Sequence, residues 1–202
     1  MAFDFTTLQT DFFSRGFDYL NDAGTGLAKA KRLLNQAMHE INGEEPWPFL
    51  EASAAGTAPV TIADASGQFE SVWDTTNDQI LQRISRVELQ QRYGDNLDDT
   101  GTPSWWYRTN VGVVNVYPVQ TVSLSVRYYK VGTDMSAGSD TPLMPDRFRV
   151  AISALAAAQE HRTNGEARTA ASHQQEAQRV VDKMRLELLG EEPQHVPYIG
   201  DD

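Results

Sequence analysis

The chain has 202 residues, 40% hydrophobic and 22% charged, which is ordinary globular composition and long enough for one well-cored domain, or a domain plus an arm. With 28 Asp and Glu against 17 Lys and Arg, its formal charge of -11 argues against a surface that clamps nucleic-acid phosphates through many contacts. There is no cysteine, so disulfides, thiolate metal sites and cysteine nucleophiles are excluded.

The start, Met1 to Thr7, lacks the basic and apolar regions of a secretory signal. No run approaches the roughly 18 apolar residues that a membrane-spanning helix needs. The expectation is a chain made in the cytoplasm, with no membrane segment.

Taken in order, residues 4–20 carry Phe5, Leu8, Phe12, Phe13, Phe17 and Leu20 at helical spacing, which predicts a first helix. Residues 27–42 carry the stripe Leu27, Ala30, Leu34, Ala37, Met38 and Ile41 and end at Asn42-Gly43, which predicts a second helix antiparallel to the first. The prolines of Glu45-Pro-Trp-Pro-Phe-Leu forbid a helix there, and Trp47 and Phe49 are expected to plug the end of the helical pair. Residues 52–58, rich in Ala, Ser and Gly, read as a flexible connector. Residues 59–63 and 69–73 read as the strands of a β-hairpin, and 77–93 as a short helix or two half-helices, followed by an acidic loop.

The chain is organised around the stretch from Pro103 to Arg149. Residues 111–119 and 122–131 read as two strands joined by a tight turn. In the second strand Val122, Leu124, Val126 and Tyr128 share one face, and Ser123, Ser125, Arg127 and Tyr129 the other, so that strand is half buried. The cover expected for its apolar face is the helix at 146–163, which opens on Pro145-Asp146 and carries Phe148, Ile152, Leu155 and Ala158 or Gln159 on one stripe. A longer helix follows at 166–189, with Ala167, Ala170, Ala171, Gln174, Ala177, Val181, Met184 and Leu188 as its inward stripe and Gly190 as its stop. Residues 191–202, with two prolines and four acids, read as an extended C-terminal arm carrying the cluster Val196, Pro197, Tyr198, Ile199. The resulting expectation is one mainly helical α+β domain over 1–190, an antiparallel helical bundle with inserted β-hairpins, plus the arm.

Motifs that carry chemistry are scarce. His39, His161, His173 and His195 have no zinc-site spacing, and Asp95-Asn-Leu-Asp-Asp-Thr-Gly misses the ligand, glycine and glutamate positions of a calcium loop. There is no Gly-Lys-Ser/Thr after a glycine-rich loop and no Gly-x-Ser-x-Gly elbow. The sequence therefore yields no catalytic residue, no metal ligand and no cofactor. Carboxylates such as Asp74, Asp78, Asp95, Asp98 and Asp99 leave a metal-dependent hydrolase open as a minor alternative. Trp105, Trp106 and Tyr107, read foremost as packing or interface aromatics, leave a second alternative: an accessory domain that binds sugars or peptides on an aromatic platform.

Glu45-Pro-Trp-Pro-Phe-Leu after two helices, Pro103-Ser-Trp-Trp-Tyr before a strand, Val116-Tyr-Pro-Val, Val126-Arg-Tyr-Tyr-Lys, and Asp140-Thr-Pro-Leu-Met-Pro-Asp-Arg-Phe before a helix follow one another in order. In that order the chain, over roughly residues 20–165, resembles the head-to-tail adaptor (connector) proteins of tailed double-stranded DNA bacteriophages. The resemblance implies a non-enzymatic structural protein of the virion. It would form a ring, commonly a dodecamer, beneath the portal protein and be followed by a stopper or tail-completion protein, with DNA passing through the lumen without specific binding. It also implies that the arm docks on the portal, through Val196, Pro197, Tyr198 and Ile199, an apolar cluster suited to a partner's groove.

Overall fold

A computed structural model describes residues 3–22 and 24–190. The helices in chain order are α1 (Phe5–Ser14), α2 (Thr25–Glu44), α3 (Arg86–Tyr93), α4 (Val150–Thr163) and α5 (Ala167–Leu189). The strands are β1 (Glu51–Thr57), β2 (Val60–Thr61), β3 (Ala65–Asp74), β4 (Gln79–Ile80), β5 (Gln82–Arg83), β6 (Trp105–Arg108), β7 (Val113–Tyr117) and β8 (Ser123–Lys130). They gather into two compact units, one formed by the residues up to Phe49 with those from Gly132 onward, the other by Leu50–Val131.

The first unit is helical, and α4 is its axis. Every residue from Ala151 to Ala158 is buried, because α1, α2 and α5 all pack on this one helix. Five of those eight residues are alanine, which lets three neighbours approach on different sides. The apolar stripe in the sequence thus marks only part of what is covered. The turn from α4 to α5 uses Gly165 at φ +80°, with the Glu166 amide donating to the His161 carbonyl at 2.8 Å. Arg149 fastens the long segment that precedes α4. Its guanidinium donates to the carbonyls of Met144 (2.8 Å), Pro142 (2.7 Å) and Phe3 (2.6 Å).

The second unit corrects the expected bundle with inserted hairpins. Its eight strands form two four-stranded sheets, ordered β1-β8-β3-β4 and β2-β7-β6-β5. The predicted hairpin partners separate: β2 and β3 lie in different sheets, and so do β7 and β8. Val72 of β3, Val114 and Val116 of β7, and Leu124, Val126 and Tyr128 of β8 meet with Trp106 in one core, so the two sheets face each other as a sandwich. The apolar face of β8 is therefore covered by a second sheet rather than by α4. An alternating strand requires some apolar cover, and a facing sheet satisfies that as well as a helix does. The protein is mixed α+β, and not a helical bundle with inserted hairpins.

Two further segments depart from expectation. Residues 52–57 fall in β1, a regular strand whose register runs without a break from Glu51 opposite Tyr129 to Thr57 opposite Ser123. Residues 77–93 break into β4, β5 and α3. Asp78 takes a positive φ of 56°, and the Ser85 hydroxyl caps α3 by accepting from the Glu88 amide at 3.1 Å. Helix α3 then lays Leu89 against Ile84 and Tyr117 on the outer side of the second sheet.

Candidate functional site

The sequence-predicted aromatics do not gather into one site. Trp47 is fully buried in the helical unit, where its Nε1 donates to the Ile41 carbonyl at 2.8 Å and its ring stacks on half-buried Phe49, with centroids 6.0 Å apart. In β6 the alternation of the strand splits the Trp105-Trp106-Tyr107 triplet. Trp106 enters the sandwich core and meets the Phe69 ring edge-on at 5.7 Å, while Trp105 and Tyr107 sit on the opposite face with Ile84, Leu89 and Tyr117. Arg92 covers Trp105 from α3, its guanidinium 5.4 Å from the ring centre. The three rings share no exposed face on which a base or sugar could stack.

The polar groups that the sequence offers for chemistry work as tethers. Asp74, fully buried, accepts from the amides of Thr76 and Asn77 and from the Asn77 side chain at 2.7–3.1 Å, which fixes the turn into β4. Asp99 accepts from Tyr117 Oη at 2.7 Å, and that bond to a carboxylate, helped by burial, pushes the Tyr117 phenol up to about 12. Tyr128 is likewise raised to about 12, chiefly by burial and then by donating to Asp64. His39 pairs with Asp134 at 2.6 Å and His161 with Glu166 at 2.6 Å.

A denser knot joins α1 to α4 and α5. Arg15 donates to both oxygens of Glu176 (2.7 and 2.9 Å), to Asp11, and to His173 Nδ1 at 3.2 Å. His173 Nδ1 also lies 3.4 Å from Glu176 Oε2, so the ring nitrogen sits between the guanidinium and the carboxylate. Asp11 also accepts from Ser153 of α4, and the His173 ring stacks on His161 at 5.2 Å. The hydrogen bond from Arg15 holds the Glu176 carboxyl below the usual range. Together these side chains tie α1 to α4 and α5 within the helical unit.

Contact surfaces are what remains. The loop from Thr133 to Thr141 is docked within its unit. Met135 exchanges two hydrogen bonds with the Asn35 side chain, and Gly138 receives the Thr6 amide and hydroxyl. A groove of about 440 Å³ runs between α2 and α4, lined by Lys29, Arg32 and Glu160 among others, with Lys29 closing on the buried Glu160 carboxylate at 2.5 Å. In the sandwich unit, Trp73 and Ile80 stand opposite each other across β3 and β4, 37% and 62% exposed.

Strand β1 is the surface that the sequence reading missed. It pairs only with β8 among the described residues, so its other edge is open, and the side chains of Glu51, Ser53, Ala55 and Thr57 are exposed. Its Ala, Ser and Gly content carries no strand signal; the strand exists because the free flank of β8 receives it. The arm residues Val196, Pro197, Tyr198 and Ile199, and with them His195, lie outside the described residues.

The family model described as SU10 adaptor protein matches residues 7–197, which takes in both units. The comparison with curated proteins finds no match.

Proposed function

Because the chain belongs to the SU10 adaptor protein family, the head-to-tail adaptors of tailed phages, we propose that its copies close into a ring between the portal and the stopper or tail-completion protein. Membership makes it a structural component of a bacteriophage virion that associates with other virion proteins. No described helix is long and apolar enough to cross a membrane. The ring, its place beneath the portal and its part in the DNA conduit are our reading.

The observation that carries this reading is the extent of the match: residues 7–197 align as one piece, through helical unit and sandwich alike. Charge supports the conduit. A chain at -11 lines a channel that repels phosphates, so DNA passes without being held. The same geometry favours a role made of contacts over a role in catalysis, since Asp74, Asp99, His39, His161 and Glu176 are each spent on holding neighbouring segments together.

The test is the mass of the purified chain alone and after mixing with portal rings, by native mass spectrometry or sedimentation. A stoichiometric ring that appears on the portal supports the reading. A chain whose mass is indifferent to portal refutes it.

A further inference from the structure

The first sheet of the sandwich ends in two open edges of opposite kind. Its strands alternate in direction along the order β1-β8-β3-β4, so β1 and β4, at the two ends, run opposite ways. A copy joined to the next through these two edges therefore makes an antiparallel seam, and every later seam repeats it. Beyond β4 the same side of the sheet is blunted, since the β3 ladder shifts register between Ala65 and Phe69 and between Phe69 and Ser71, and β3 carries Glu70 there. Strand β1 has no such defence. Its 7 residues run in unbroken register with no proline, no lysine and a single acid at the start.

The direction of the backbone groups follows from one hydrogen bond at each edge. The Ala58 amide donates to the Val122 carbonyl at 2.9 Å, so by alternation Gly56, Ala54 and Ala52 turn toward β8. Glu51, Ser53, Ala55 and Thr57 then aim their N–H and C=O groups outward, and no described residue receives them. On the other edge the Leu81 amide donates to the Val72 carbonyl at 2.9 Å, so Leu81 and Gln79 face β3. Ile80, between them, points its N–H and C=O outward, and no hydrogen bond among the described residues takes up either group.

Side chains at the two edges complement each other. The registers place Ala55, Ser125, Trp73 and Ile80 in one row on the outer face. At the β4 end that row is bulky and apolar, with Trp73 37% and Ile80 62% exposed, and at the β1 end it is an exposed alanine between Ser53 and Thr57. The ion pairs of this unit, Arg92 with Glu88 and Lys130 with Asp64, leave out Glu51, Glu70 and Arg83. Burial raises the Tyr129 phenol, and Glu70 and Glu51 raise it further, so two carboxylates stand near the start of β1 without an ion-pair partner. We propose that β4 of one copy adds to β1 of the next as an antiparallel strand, with Ile80 opposite Ala55, so that the first sheets of neighbouring copies form one continuous ladder around the ring.

The seam deepens the ring reading and rests on it. Antiparallel pairing carries the chain after Ile80 toward the Glu51 end of the neighbouring β1, and Arg83 with it, so the unpaired cation of one copy meets the unpaired acid of the next. Asp78 falls at the opposite end, beside Thr57. A contact between two unlike edges is heterologous, the kind that closes a ring. Ile80 is the outward residue of β4, so a seam holds a single bonded pair, too little to join free copies in solution. Copies held side by side on a portal meet at high effective concentration, where the same pair and the apolar ridge suffice.

Ala55 and Ile80 are both exposed and the chain has no cysteine, so a single cysteine at either position keeps the fold and reports on the seam. Full-length Ala55→Cys and Ile80→Cys variants are mixed in equal amounts on portal rings and oxidised mildly. In a hydrogen-bonded antiparallel pair the Cα atoms are about 5.5 Å apart, within disulfide reach. The expected result is a covalent dimer that needs both variants, at about tenfold the yield of Ala55→Cys mixed with Val111→Cys, an exposed position outside the seam. A chain carrying both Ala55→Cys and Ile80→Cys should give a ladder of longer multimers. Adding Glu51→Arg to the first variant should cut the dimer roughly threefold, and adding Arg83→Glu to the second should restore it. Sedimentation of the same samples reads ring formation separately. Rings without the covalent dimer overturn the inference and leave the ring reading standing, and the absence of both overturns both. A dimer formed by Ala55→Cys alone, which means β1 pairing with itself, or a loss through Glu51→Arg that Arg83→Glu does not restore, also overturns the inference.

Discussion

Arg149→Met removes one guanidinium that fastens three stretches of chain. Arg149 is 8% exposed, and its donors reach the carbonyls of Met144, Pro142 and Phe3 at 2.6–2.8 Å, with Asp146 as its ion partner at 2.6 Å. Methionine fills most of the same space but donates nothing, so packing is largely kept while the hydrogen bonds go. Asp146 is mostly exposed, so the lost ion pair matters little. Pro142 and Met144 are buried, and their carbonyls lose a charged donor without access to water. At roughly 1–2 kcal/mol for each, the variant should lose about 3 kcal/mol, the partly exposed Phe3 carbonyl adding little. For a protein of this size that is roughly 10 °C in Tm. Urea unfolding followed by circular dichroism measures the loss, and hydrogen exchange at the Phe5 and Thr6 amides, which donate to Asp140 and Gly138 in the clamped loop, reads its location. Arg149→Lys should fall between the two, because one ammonium cannot span three carbonyls. A loss below about 1 kcal/mol for Arg149→Met would refute the reasoning, since water would then be replacing the guanidinium at carbonyls described as dry.

Gly112 sits at φ +82°, and a Cβ there would run into the Ile62 carbonyl oxygen, so Gly112→Ala should cost about 2–4 kcal/mol and expose the β2–β7 pairing to hydrogen exchange. Trp106→Ala should cost about 3–5 kcal/mol in the same unfolding assay, whereas Trp73→Ala, on the exposed face, should stay within about 1 kcal/mol. Acid should loosen the helical knot. Glu176 is held below its ordinary value of 4.5 by Arg15, so its stabilisation is complete above that value and is lost as pH falls through the lower folded one. Tm measured from pH 6 to pH 2 should therefore fall less steeply for Glu176→Gln than for the parent chain.

How legible the fold was depended on what each pattern encodes. The alternation of Val122, Leu124, Val126 and Tyr128 states which face of β8 is buried, and these residues are buried. It does not state what buries them. The second sheet is built from β2 and β5 of two residues each, β6 of four and β7 of five, lengths at which periodicity cannot be told from chance. Val119 to Val122 looked like a hairpin turn because it joins two good strands, but local turn chemistry does not distinguish a return within one sheet from a crossing to the other. On α4 the error was one of degree. Alanines count weakly as hydrophobic, so a helix buried on every side was read as a stripe.

The candidate surfaces divide the same way. That Trp105, Trp106 and Tyr107 cannot form one platform was available from the sequence, because consecutive residues of a strand point to opposite faces; only the choice of which ring goes inward required the fold. The open edge was not available. Glu51 to Thr57 has too little side chain to signal a strand, and the outward phase of its odd-numbered residues follows only from the Ala58–Val122 hydrogen bond.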